Sequence, residues 1–129
     1  PVSEVASGGE ISRLMLCVKS LIATKKGLPT IIFDEIDTGV SGDIATQMAS
    51  IMRDMASTRQ IIAITHLPQI AALGQTHYKV YKEDTEQRTE THIRLLNNEE
   101  RIIEIASMLS GKNPTSEAKA NAKQLLCCH

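Results

Sequence analysis

The sequence predicts an α/β fold, with a mainly parallel sheet flanked by helices and followed by a small hairpin and C-terminal helices. Three observations carry this. Two short unbroken apolar runs, Thr30-Ile31-Ile32-Phe33 and Ile61-Ile62-Ala63-Ile64, have the pattern of strands buried on both faces. Between them Ile44, Met48, Met52 and Met55 mark one apolar face of a helix. That helix is long enough for the right-handed crossover that parallel neighbours require.

The remaining elements follow from the same logic. From Ile11 to Ile22 the residues Ile11, Leu14, Met15, Val18, Leu21 and Ile22 recur at helical spacing, so one face of an opening helix is apolar. Lys25-Lys26-Gly27 ends it, with cations at the negative end of the dipole and glycine beyond. Ser41 is the expected N-cap of the Met-rich helix. After Pro68 a short helix is expected to reach Leu73, and the stretches Tyr78–Lys82 and Thr91–Leu95 flank a polar loop as a hairpin. Ile102, Ile105, Ala106 and Leu109 define another helix, and Ala118, Ala122, Leu125 and Leu126 the last, beyond Gly111 and Pro114.

Composition narrows the function. The 129 residues suit one ordinary domain, and 42% hydrophobic content suffices for a core. A formal charge of −1 argues against a chain whose whole surface grips polyphosphate. One Phe and two Tyr poorly supply a base-stacking platform for single strands. No stretch approaches the ~20 apolar residues of a membrane span, and no basic-then-apolar leader opens the chain, so a cytoplasmic protein without membrane contact is expected. Cys17, Cys127 and Cys128 lack the spacing of a disulfide framework and are expected to be reduced. Cys127, Cys128 and His129 could bind metal, although a cluster at a chain terminus is more often without function. The chain starts at Pro1 without Met, and we expect it to be a piece of something longer.

Three places carry chemistry. Ser7-Gly8-Gly9-Glu10 opens the first helix and reads either as a capping box or as a glycine-exposed helix N-terminus that offers N–H groups to a phosphate. Asp34-Glu35 directly follows an apolar strand, at the edge where open α/β sheets hold their ligands. An apolar strand ending in Asp is the Walker B pattern, in which the carboxylate holds Mg²⁺, and a neighbouring acid can orient or deprotonate a water. Acids at strand ends also cap helices or face solvent. Thr65-His66 ends the second apolar run, on the same sheet edge if the strands are parallel; a lone histidine there is either structural or part of a site. His77 and His92 receive no role.

The order of these motifs resembles the signature motif, Walker B, D-loop and switch histidine of ABC-type ATPases. The resemblance is closest to the RecN family, SMC-like ATPases of bacterial DNA repair. It rests on Val5-Ala6-Ser7-Gly8-Gly9-Glu10-Ile11-Ser12-Arg13, on Phe33-Asp34-Glu35-Ile36-Asp37-Thr38-Gly39-Val40-Ser41-Gly42 and on Ile64-Thr65-His66-Leu67-Pro68-Gln69-Ile70-Ala71-Ala72. It continues more weakly from Arg101 to Gly111 and into the last helix. ABC transporters, the runner-up, usually carry Pro after the Walker B Glu and Leu at the head of the signature, where this chain has Ile36 and Ala6.

The resemblance implies that residues 1–129 are the C-terminal lobe of an ABC/SMC-type ATPase head, with the P-loop lobe and coiled coil elsewhere in a parent. It implies ATP and Mg²⁺ as cofactors, a second head as partner, and DNA engaged through the parent in the bacterial cytoplasm. By the same resemblance Asp34 would hold Mg²⁺, Glu35 the attacking water and His66 the γ-phosphate. Asp37 would communicate across the head dimer, and Ser7, Gly8, Gly9 and Glu10 would complete the partner's site. A full ATP site also needs G-x-x-x-x-G-K-[ST], whereas Gly111-Lys112 is followed by Asn113 and preceded five residues before the glycine by Ala106. The chain alone is therefore expected neither to bind ATP tightly nor to hydrolyse it, and its unpartnered strands are expected to invite non-native pairing. Two other functions compete: a non-catalytic interaction module of the same fold, and a metal-dependent hydrolase using Asp34, Glu35 and His66 directly.

Overall fold

A computed structural model of the chain describes residues 8–40 and 42–127. In chain order the elements are α1 (Gly8–Lys26), β1 (Thr30–Asp34), α2 (Gly42–Ala56), β2 (Gln60–Ile64), α3 (Pro68–Ala71), β3 (Tyr78–Asp84), β4 (Thr89–Leu95), α4 (Asn98–Ser110) and α5 (Ser116–Cys127). They divide into two compact units, one ending at Leu73 and the other starting at Gly74. The N-cap expected at Ser41 and the residues before Gly8 lie outside the described residues, as do Cys128 and His129.

In the first unit β1 and β2 are parallel neighbours, in register from Thr30 opposite Gln60 to Asp34 opposite Ile64. Side chains alternate along a strand, so Ile31, Phe33 and Ile61 share one face. That face meets α2, whose Ala45, Met48, Ala49, Met52 and Met55 form a stripe at helical spacing. Phe33, Met48 and Leu16 are fully buried there, and the methionines fill the space between branched neighbours.

One expectation fails here. The strands are not buried on both faces: Ile32, Ile62 and Ile64 on the other face are 59%, 43% and 49% exposed. Among the described residues these side chains have no second layer of helix over them, and an apolar run reveals that a strand can be buried twice without supplying that layer. The apolar stripe of α1 is also turned outward. Leu14, Met15, Val18, Leu21 and Ile22 are exposed, while the opposite line, Gly9, Leu16 and Ala23, is buried. Gly9 lies on the buried line, where an added Cβ would stand 3.1 Å from Ile44 Cδ1 of α2, so α1 and α2 pack closely there.

In the second unit β3 and β4 pair antiparallel from Tyr78 opposite Leu95 to Asp84 opposite Thr89. The hairpin is longer than its apolar residues predict, because polar contacts zip its outer end. Thr89 Oγ1 donates to Asp84 Oδ1 at 2.7 Å, and His92 Nε2 lies 3.3 Å and 3.4 Å from the facing carboxylates of Glu83 and Glu90. An unforeseen capping box starts α4: Asn97 Oδ1 accepts from the Glu100 N–H at 2.8 Å, and Glu100 Oε1 accepts from the Asn97 N–H at 3.1 Å. Ile105 and Ala106 of α4 and Ala118 and Ala122 of α5 are buried where the two helices pack.

His77 in this unit titrates below its ordinary value of 6.5, chiefly through burial and secondarily through the Arg101 guanidinium, with Glu104 opposing. A histidine harder to protonate when folded leaves the unfolded chain binding more protons, so stability rises with pH through this window. As pH falls below about 6.5 the chain is expected to lose stability progressively. Urea melts of native chain and His77→Gln across that range check it, the variant giving the flatter profile.

Candidate functional site

The parallel register brings the carboxyl ends of β1 and β2 to one edge, and the candidate residues follow directly from it. Phe33 anchors the end of β1 in the core, so Asp34, next along the strand, shares the face of Ile32 and is exposed. The Glu35 N–H donates to the Ile64 carbonyl at 3.0 Å and extends the ladder by one residue. Glu35 then turns the chain with φ +53°, the one non-glycine residue in the left-handed region among the described residues. Such a conformation costs on the order of 1 kcal/mol, and its persistence in an exposed acid is typical of functional positions. Its carbonyl accepts from Thr38 Oγ1 at 3.0 Å, closing the turn.

Asp37 lies within this turn and is 1% exposed, the buried charged residue among those described. Its Oδ2 accepts a hydrogen bond from Thr65 Oγ1. Thr65 Oγ1 in turn accepts from the Leu67 N–H at 3.0 Å. His66 Nδ1 stands 3.6 Å from Asp37 Oδ1, and the imidazole is 60% exposed. Asp34, Glu35, Asp37 and His66 therefore occupy one sheet edge, bound together by backbone pairing and by Thr65. Sequence reasoning passed over Thr65, whose only signal was its place beside His66 at a strand end.

The opening of α1 is placed differently. Gly8 begins the helix, Gly9 packs on Ile44 of α2, and Glu10 is exposed; Ser7 lies outside the described residues. The packing of Gly9 is a structural reason for glycine that stands beside the phosphate reading. Among the described residues no group of three or more His, Cys, Asp and Glu side chains could hold a metal ion. A preformed protein-only metal centre is thus not what this edge offers. Among the described residues no helix is long and apolar enough to cross a membrane.

No protein-family model matches the chain. Curated relatives do. The DNA repair protein RecN of Halalkalibacterium halodurans is 44% identical over 126 residues, covering 98% of this chain and 22% of that protein. RecN of Bacillus subtilis is 43% identical over 125 residues, covering 97% and 22%. RecN of Deinococcus radiodurans is 46% identical over 126 residues, covering 98% and 22%. The chain spans about a fifth of the length of these relatives. Among solved structures, one described by the ATP-driven dimerization and DNA-stimulated activation of SMC ATPases superposes with a TM-score of 0.62 at 22% identity, over 75% of this chain and 58% of that one. The likeness to that structure is one of fold, an α/β arrangement with a parallel strand pair, a hairpin and C-terminal helices, as the sequence predicts.

Proposed function

We propose, from the premise that this chain corresponds to the C-terminal part of the RecN DNA repair proteins, that it forms one wall of a composite ATP site in a bacterial DNA-repair ATPase. One observation carries the reading: Asp34, Glu35 and His66 all lie at the carboxyl ends of two paired parallel strands, and Asp37 is buried with His66 Nδ1 3.6 Å from its Oδ1. In this reading Asp34 holds Mg²⁺, Glu35 orients and deprotonates the attacking water, and His66 reaches the γ-phosphate. Gly8, Gly9 and Glu10 at the opening of α1, with Ser7 before them in the sequence, serve the site of a second head, and the turn carrying Asp37 couples the two. When bound, Mg²⁺ neutralises charge on the phosphate oxygens. Phosphoryl transfer asks mainly for positioning, so dividing the site between segments makes hydrolysis conditional on their closure.

The open apolar faces support the same view. Ile32, Ile62 and Ile64 on the sheet and the outward stripe of α1 are surfaces that the P-loop lobe and other parts of the parent would cover. DNA is engaged through the parent rather than through this near-neutral chain, in the bacterial cytoplasm. Titration calorimetry on the isolated chain is expected to detect no micromolar affinity for Mg-ATP. Affinity in that range, or steady turnover, would overturn the composite-site reading.

A further inference from the structure

We infer that Asp37 is a positioning residue that orients the His66 imidazole through its Nδ1, with Thr65 fixing the carboxylate from the other side. For its use in catalysis this rests on the nucleotide-site reading; the geometry itself does not.

Three observations converge. Asp37 is 1% exposed, so its carboxylate acts inside the chain and not as a direct contact to a second head. Oδ2 is held by the Thr65 hydroxyl, which is itself locked by the Leu67 N–H, so the carboxylate plane is set from the loop that carries His66. Oδ1 is buried with no hydrogen-bond partner, and the polar atom facing it is His66 Nδ1 at 3.6 Å. A buried carboxylate oxygen without a partner is costly, and a small rotation of a half-exposed ring would satisfy it. Catalytic hydrogen bonds are often long in the unloaded protein and tighten with ligand.

The chemical consequence is specific. If Nδ1–H donates to Asp37, the ring orientation is fixed and Nε2 is directed away from the carboxylate, free for the site's ligand. A carboxylate behind a histidine performs this service in hydrolytic triads and metal sites. Asp37 and His66 arise from different loops, so the contact also ties the turn after β1 to the turn after β2.

Long-range ¹H–¹⁵N correlation spectra of the labelled chain test the geometry without nucleotide. At alkaline pH the native His66 is expected as the Nδ1–H tautomer, and the two ring nitrogen shifts are expected to move toward exchange of places in Asp37→Ala. Should that variant not fold, Asp37→Asn keeps the volume but has one acceptor oxygen for two donors, and the Nδ1–H signal is expected to weaken. A native ring in the Nε2–H form, or an unchanged tautomer in either folded variant, would overturn the inference. In the parent, Asp37→Asn is expected to lower kcat for ATP about 10- to 100-fold with KM little changed. If the tautomer responds to Asp37 but Glu35→Gln leaves parent turnover intact, the nucleotide reading falls and the positioning stands. The reverse pattern removes only the positioning.

Discussion

Replacing Glu35 by Gln in the intact parent is expected to slow ATP hydrolysis by about 10²- to 10⁴-fold while ATP binding persists and closed heads accumulate. The substitution keeps size and backbone preference, so the left-handed conformation at φ +53° is retained and the lost function is the carboxylate's alone. Single-turnover rates and the fraction of dimer at saturating ATP measure the two halves of the expectation. Glu35→Gly separates chemistry from strain: it removes the carboxylate and also relieves the backbone, so the isolated chain should gain on the order of 1 kcal/mol of stability as the parent loses turnover. Unchanged hydrolysis in Glu35→Gln would remove Glu35 from the reaction.

Placing a charge on the open sheet face should have an equally large effect, and only in the parent. Ile62 lies opposite Ile32 and two residues from Ile64, and it is 43% exposed. In the isolated chain Ile62→Asp is expected to change stability by no more than about 1 kcal/mol, the span of strand propensity, and to reduce self-association seen by light scattering. In the parent the same carboxylate would be buried without a partner beneath the P-loop lobe. That costs several kcal/mol and should leave the head unassembled, protease-sensitive and inactive. Ile62→Val is the control that keeps the face apolar. A parent carrying Ile62→Asp with normal ATPase activity would mean that nothing docks on this face.

Much of the fold was legible because period and punctuation are local. The Met stripe of α2, the two apolar runs and the alternating hairpin each announced their element, and the acids and histidine at strand ends announced a sheet edge. What the sequence left unsaid shares one cause. Six large apolar residues on α1 stated that a face was apolar and said nothing of what lay against it; the structure buries Leu16 and Ala23 on the opposite side. The longer hairpin and the Asn97–Glu100 box were missed because they depend on polar side chains meeting across a turn, which apolar periodicity does not register.

For the site, the sequence by itself determined the residue types, their order along the chain and their position at the ends of two strands, since strand formation and charge placement are written in neighbouring residues. Tertiary structure alone decided the residue-by-residue register of the two expected parallel strands, that Glu35 turns through the left-handed region and that Asp37 is buried behind Thr65 and His66. Those features come from contacts between segments some 28 residues apart. Such contacts depend on how the whole unit packs, and no local pattern encodes that.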